Sequence, residues 1–261
     1  MTPDSPVARR VLPSPNHGER RGGGPDGAAV PRPDMLILHY TGMESAQAAV
    51  ARLRDPRAEV SAHYLVFEDG AVAQMVPEAR RAWHAGAAAW KGERDVNSRS
   101  LGIEIVHPGH VGGLPPYPEA QVAAVTALAR DLCARWAIPP ERVLAHSDVA
   151  PERKEDPGEV FPWARLAAEG VGHFVPPVPI RDGRFFARGD AGQPIEALQA
   201  MLGLYGYDQP VTGVFDARTQ AVVAAFQRHF RPARVDGVAD ASTITTLRDL
   251  IAALPGQGDR I

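Results

Sequence analysis

The sequence predicts an α/β fold, a mixed central sheet flanked by helices, with a second, small all-α domain of three helices behind it. Three observations carry this reading. Short apolar runs of strand length alternate with helix-period segments between residues 35 and 146. A proline-rich stretch, Val175 to Pro179, then breaks the pattern and reads as an extended, stiff linker. Beyond it, residues 188–255 place apolar side chains only at helical spacing. Of the 261 residues, 1–14 read as a leader, 15–168 as the first domain, 169–187 as the linker and 188–261 as the helical domain.

The elements follow in order. Up to about residue 34 the chain is rich in Gly, Pro and Arg and has no hydrophobic period. It is expected to be loosely ordered or laid over the surface. Met35–Tyr40 is an apolar run of buried-strand length. Ser45 is placed to cap a helix whose apolar positions are Ala46, Ala49, Val50 and Leu53. His63–Phe67, the tight turn Glu68-Asp69-Gly70 and Ala71–Val76 read as strand, turn, strand. Ser100–His107 is a further buried strand that stops at Pro108-Gly109. Val122, Val125, Leu128, Ala129, Leu132, Cys133 and Trp136 share one helical face, and Pro139-Pro140 ends that helix. Val143–Ala145 is a short strand running into His146. The last domain holds three helices, marked by Ile195, Leu198 and Leu202, by Thr219, Val222, Val223 and Phe226, and by Ile244, Leu247 and Ile251. Two similar turns, 212–216 and 235–238, separate them. About 65 residues is enough to fold alone, but marginally.

Composition excludes several classes. Basic residues number 28 against 31 acidic, a net charge of −3, so no basic excess grips a phosphate backbone and no nucleic-acid partner is expected. The single cysteine, Cys133, cannot form an intrachain disulfide, and its place in a helical apolar pattern makes it a packing residue rather than a thiol nucleophile. No apolar run approaches the ~18 residues of a membrane span. The arginine-rich N-terminus lacks the apolar core of a signal peptide. A cytoplasmic protein is therefore expected, with periplasmic or outer-membrane association as the alternative if a leader is removed or non-standard. The chain is expected to act as a monomer.

Among the nine histidines, His107 and His110 have a ligand-like spacing but flank Pro108-Gly109, where no helix aligns them. His17, His173 and His229 carry no signal. His39 stands out as a polar residue at the end of an apolar strand, either a core histidine or a site residue opening into a cleft. Glu104 is the sharper anomaly, since an ionised carboxylate inside Leu-Gly-Ile-Glu-Ile-Val is costly unless paired or placed in a site. His146, Lys154 and Asp156 follow within eleven residues. Hydrolytic zinc takes three protein ligands from His, Asp or Glu, a count that His39, His146 and Asp156 would meet, although spacing alone does not bring them together.

Five segments in one order make the pattern specific: Leu38-His39-Tyr40-Thr41, Ser61-Ala62-His63-Tyr64, Trp83-His84-Ala85-Gly86, Asn97 to Glu104, and His146 to Pro151 with Lys154 and Asp156. Together they resemble the zinc-dependent N-acetylmuramoyl-L-alanine amidases of the AmpD/AmiD type over residues 11–168. The resemblance implies one Zn2+ per chain held by His39, His146 and Asp156, with Glu104 as acid/base and Lys154 beside the developing oxyanion. The implied reaction is hydrolysis of the amide between N-acetylmuramic acid, or its anhydro form, and L-alanine of the stem peptide. His63, Trp83, His84 and Asn97 lie in recurring family motifs and are candidates for the substrate cleft, with core packing the alternative for His63 and Trp83. Residues 188–252 resemble the peptidoglycan-binding domain often appended to such enzymes, so the expected partner is peptidoglycan or its muropeptide fragments. Two rival readings are a peptidoglycan sensor that does not cut and a zinc peptidase acting on the stem peptide. The complete ligand set argues against the first and the motif order against the second.

Overall fold

The computed structural model describes residues 2–22 and 32–255. Met1, the glycine-rich residues 23–31 of the N-terminal stretch and residues 256–261 of the second domain lie outside the described residues. In chain order the elements are β1 (Arg10–Val11), β2 (His17–Gly18), β3 (Met35–Tyr40), α1 (Ala46–Arg54), β4 (Tyr64–Val66), β5 (Val72–Gln74), β6 (Arg81–Ala82), α2 (Val96–Arg99), β7 (Ser100–Ile105), α3 (Glu119–Trp136), β8 (Val143–Ala145), α4 (His146–Val149), α5 (Trp163–Ala168), β9 (Phe185–Phe186), α6 (Gln193–Tyr205), α7 (Ala217–Phe230), β10 (Ala239–Asp240) and α8 (Ala241–Ala252). As the sequence predicts, Ser45 caps α1, its Oγ accepting the Ala48 N–H at 3.2 Å.

Six strands form one mixed sheet in the order β1-β5-β4-β7-β3-β8. The β3–β7, β3–β8, β4–β7 and β1–β5 pairs are parallel and β4–β5 is antiparallel. The outermost strand, β1, comes from the stretch read as a leader. That stretch is tied down elsewhere too, since β2 pairs with β6 and Arg20 is buried.

A central parallel strand must be covered on both faces, and β3 shows how this is done. Its residues Leu36 and Leu38 pack on α3 residues Val125, Leu128 and Leu132. Met35 and Ile37 point the other way. They join Trp90, Leu144 and Val149 in a core completed by Ile195, Leu198, Leu202, Tyr205, Tyr207, Phe226 and Phe230 of the C-terminal helices. Leu53 of α1 covers the same side further along, over Leu65, Met75 and Val106. The second domain therefore shares a hydrophobic core with the first rather than hanging from a linker. The linker is itself laid down: Val171 is buried, and Val178 exchanges hydrogen bonds with Thr246 (3.0 Å) and Ser242 (2.5 Å) of α8.

Trp90, 1% exposed, is the centre of the junction and meets Tyr205 and Tyr207 edge-on at 5.9 and 5.0 Å between ring centroids. Gly206 lies against its ring, and a Cβ there would sit 2.5 Å from Trp90 Cε2 and Cζ2.

The two similar turns of the helical domain are built alike. Gln199 Oε1 accepts the N–H groups of Thr212 and Gly213, and Gln227 Oε1 accepts those of Asp236 and Gly237. Asp216 then caps α7 and Asp240 caps α8. These buried glutamines fix the fold of the domain. Among the described residues no helix is long and apolar enough to cross a membrane.

Candidate active site

The sheet ends where the chemistry begins. Strand β3 carries His39 at its C-terminal end, and the β3–β7 register sets Glu104 directly beside it. Strand β8 stops at Ala145, so the first residue of α4, His146, emerges at the same edge. The following loop returns Lys154 and Asp156, and the Ser147 N–H donates to the Asp156 carbonyl at 3.1 Å, joining the two loops through backbone.

His39, His146 and Asp156 are all buried and present one donor atom each to a common point. His39 Nδ1 is 2.9 Å from His146 Nδ1 and 3.0 Å from Asp156 Oδ2, and His146 Nδ1 is 2.9 Å from that same oxygen.

The hydrogen-bond pattern assigns the ring protons. Ser100 Oγ donates its hydrogen to the Val96 carbonyl at 2.6 Å, so it accepts from His84 Nε2 at 3.2 Å. His84 Nδ1 is then an acceptor, and His39 Nε2–H donates to it at 3.0 Å. On the other side, His146 Nε2–H donates to the Ala85 carbonyl at 3.1 Å. Both Nδ1 atoms are left with lone pairs turned toward each other and toward a carboxylate oxygen. Three such donors repel unless a cation lies among them. A His₂Asp set with its other ring N–H groups committed elsewhere fits a catalytic zinc. Ligand atoms about 2.0–2.1 Å from a tetrahedral zinc stand about 3.3 Å apart, close to the spacing found here.

The titration of His39 and Asp156 agrees. Burial, then the neighbouring His146, pulls His39 down to about 4, keeping it neutral as a ligand must be. Burial alone would raise the Asp156 carboxyl, but the charges and hydrogen bonds of His146 and His39 outweigh it and hold the group well below the usual carboxylate range. Glu104 is pushed the opposite way: burial, then repulsion from Asp156, raises its carboxyl well above normal, against the pull of Lys154. Its Oε2 is shielded from solvent and has no partner among the described residues. The two carboxyl groups of one site are thus shifted in opposite directions, a common mark of assigned acid and base roles.

Glu104, Lys154, His146, Asp156, Trp83 and His84 line one cavity of about 360 Å³, which continues past Met43, Arg52, Leu53 and Val60. Not every residue picked from the sequence reaches it. His63 is fully buried behind the site, accepting the Gly102 N–H at 2.9 Å and donating to the Arg80 carbonyl at 3.0 Å. Asn97 shapes the wall from behind, its Oδ1 accepting the N–H groups of His84 and Ala85. Gly102 allows His84 its place, because a Cβ there would lie 2.6 Å from the imidazole. His107 and His110 do not form a pair. The first stacks on Tyr117 and bonds the Pro115 carbonyl, and the second meets Tyr40 Oη and Glu159 at the rim.

Several participants escaped the sequence reading. Arg153 bonds the Ala85 and Ala87 carbonyls and so braces the loop that receives His146. Arg20 donates to the carbonyls of Glu78, Ser98 and Ser100, under the site. A buried arginine in a glycine-rich stretch leaves no periodicity to find. Asp148, inside the His-Ser-Asp-Val segment, has 0% exposure and two of its three hydrogen-bond partners lie in the second domain.

Comparison with known proteins places this geometry. A family profile for N-acetylmuramoyl-L-alanine amidase matches residues 29–159, and a profile for a peptidoglycan binding domain matches residues 191–247. The N-acetylmuramoyl-L-alanine amidase AmiD of Escherichia coli is 40% identical over 231 residues, spanning 83% of this chain and 81% of that protein. A solved structure of AmiD with the substrate anhydro-N-acetylmuramic acid-L-Ala-D-gamma-Glu-L-Lys aligns with a TM-score of 0.72 and 36% identity, covering 90% of this chain and 97% of the other. The Pseudomonas aeruginosa protein AmpDH3 in complex with anhydromuramic pentapeptide aligns with a TM-score of 0.69 and 30% identity, over 87% and 93% of the two chains.

Proposed function

The chain belongs to the N-acetylmuramoyl-L-alanine amidase family, and from that premise we propose how its site works. The reaction is hydrolysis of the amide joining the lactyl group of N-acetylmuramic acid to L-alanine of the stem peptide, in peptidoglycan or its fragments. The observation that carries the mechanism is the triangle of unprotonated His39, His146 and Asp156 donors, 2.9–3.0 Å apart, with a raised, unpartnered Glu104 next to it. These three residues would hold one Zn2+. Bound there, the metal supplies Lewis acidity, acidifying water and polarising a carbonyl.

The protein's own residues do the rest. Glu104 takes a proton from the attacking water and passes it to the departing amine nitrogen of L-alanine. Its raised affinity for protons makes it a competent donor in the second half of that transfer. Lys154 brings a positive charge to the cavity wall, where charge develops on the carbonyl oxygen, a role worth about 3 kcal/mol in comparable sites. His84 and Ser100 keep His39 in one tautomer, and Ala85 does the same for His146. The apolar side of the cavity, Met43, Leu53 and Val60 with Trp83, gives the substrate a surface to lie on. Anhydromuropeptides of the kind bound by the structural relatives are the substrates we expect to fit.

Mass spectrometry of products from purified peptidoglycan fragments, with chelator and with zinc restored, tests this reading. Free stem peptides beginning with L-alanine, lost on chelation and regained with zinc, are the expected result. Fragments that bind but stay intact would replace the amidase reading with that of a sensor. Shortened stems still attached to muramic acid would replace it with that of a peptidase.

A further inference from the structure

The peptidoglycan-binding module sits beneath one metal ligand. Helix α4 is four residues long and starts with His146. Two residues on, Asp148 is completely buried and is held by three donors. Its Oδ2 accepts the Ala145 N–H at 2.8 Å and His229 Nδ1–H at 2.7 Å, and its Oδ1 accepts Tyr207 Oη–H at 2.7 Å. Two of those three donors belong to the helical domain, 59 and 81 residues away in sequence. The His229 ring is itself fixed, stacked on Trp163 of the first domain at 3.7 Å between centroids. Val149 closes the same turn, its side chain in the shared core and its carbonyl accepting the Ala89 N–H at 2.8 Å.

Such a short helix has no length of its own to hold it in place. A buried carboxylate, in contrast, is tied to wherever its donors are, because leaving any of its bonds unmade is costly. We infer that Tyr207 and His229 are positioning residues for the hydrolytic centre. Through Asp148 they set where α4 lies, and so where His146 presents Nδ1. The helical domain is then part of the frame of the site and not only a polymer tether. The inference rests on the assignment of His146 as a metal ligand.

Tyr207→Phe and His229→Phe keep a ring in place and remove one donor each. Thr243→Val is the control, since it breaks hydrogen bonds to Arg231, Gln227 and Asp240 inside the same domain without touching Asp148. Three quantities are measured on the full chain: zinc affinity by chelator competition, kcat and KM on a small soluble anhydromuropeptide, and amide exchange of residues 146–149 in the metal-free protein. Each ring-keeping variant should weaken zinc about tenfold, lower kcat more than KM changes, and speed exchange in α4. Thr243→Val should move none of these, whatever it does to thermal stability. Zinc affinity and α4 exchange unchanged in Tyr207→Phe and His229→Phe, or changed equally in Thr243→Val, would overturn the inference. A wild-type chain that holds no zinc would defeat the metal assignment instead, and the exchange of the metal-free protein would still decide whether Asp148 is anchored as described. Should His229→Phe fail to fold, Tyr207→Phe, which loses one oxygen only, supplies the same test.

Discussion

Replacing Gly206 by alanine probes how firmly the two domains are joined. The new Cβ would lie 2.5 Å from two carbons of the Trp90 ring, well inside van der Waals contact, at a backbone φ of +151° that favours glycine. Trp90 has no room to yield. It is 1% exposed and held edge-on by Tyr205 and Tyr207, while the Gly206 carbonyl accepts the Lys91 N–H at 2.8 Å. Overpacking of this kind costs about 1–3 kcal/mol, and a side chain forced into unfavourable φ a further ~1–3 kcal/mol. For a chain of this size each kcal/mol lowers the melting temperature by about 2–4 °C. The two costs separate in a double-mutant cycle followed by urea denaturation. Trp90→Ala alone should cost about 3–5 kcal/mol from the cavity it opens. In that background the clash is gone, so Gly206→Ala should cost only its backbone part, leaving a coupling of about 1–3 kcal/mol. Strictly additive costs, or a Gly206→Ala variant as stable as wild type, would refute the argument that this junction is close-packed.

Glu104→Gln should keep stoichiometric zinc and the melting temperature while lowering kcat by about 10²–10⁴-fold, measured on soluble muropeptides; an active variant removes its acid/base role. Asp156→Ala should lose both the metal, by elemental analysis after dialysis, and turnover; retained zinc would contradict its place in the ligand set. Burial pushes the Cys133 thiol up to about 12. In the unfolded chain the thiol ionises near 8.5, so between those values the unfolded state has lost a proton that the folded state keeps, and stability falls as pH rises. Relative to Cys133→Ala, the slope should approach about 1.4 kcal/mol per pH unit around pH 10, and at pH 8 iodoacetamide should label the native thiol far more slowly than the denatured one. Equal slopes in the two proteins would refute the burial argument.

Most of the elements were legible because their signals are local. All seven of the apolar residues chosen for the long helix face the core in α3 or pack against it, and Ser45 caps α1 as its position suggests. Glu104 was legible for a different reason: an acidic side chain inside an apolar strand is an anomaly that needs no partner to be noticed. Arg20, Ser100 and Arg153 were not. Each acts through backbone carbonyls or a hydroxyl whose position depends on another segment, and nothing in its own neighbourhood marks it. His63 and Asn97, chosen for the cleft, stand behind its wall, since a motif identifies the segment but not which way each side chain faces.

By itself, the sequence determined where the main strands and helices run, that a helical domain follows a mixed sheet, and which side chains have the chemistry to hold a metal and move a proton. These depend on spacing along the chain and on the residue types themselves. The tertiary structure alone decided that His39, His146 and Asp156 converge, that His84 sets a tautomer, and that the second domain covers the face of the sheet carrying Met35 and Ile37. In the sequence His229 carries no signal, and Asp148 reads as a polar residue in a loop. They meet at 2.7 Å across 81 residues because the exposed face of a parallel strand needs a cover. No local pattern states which segment of the chain will provide it.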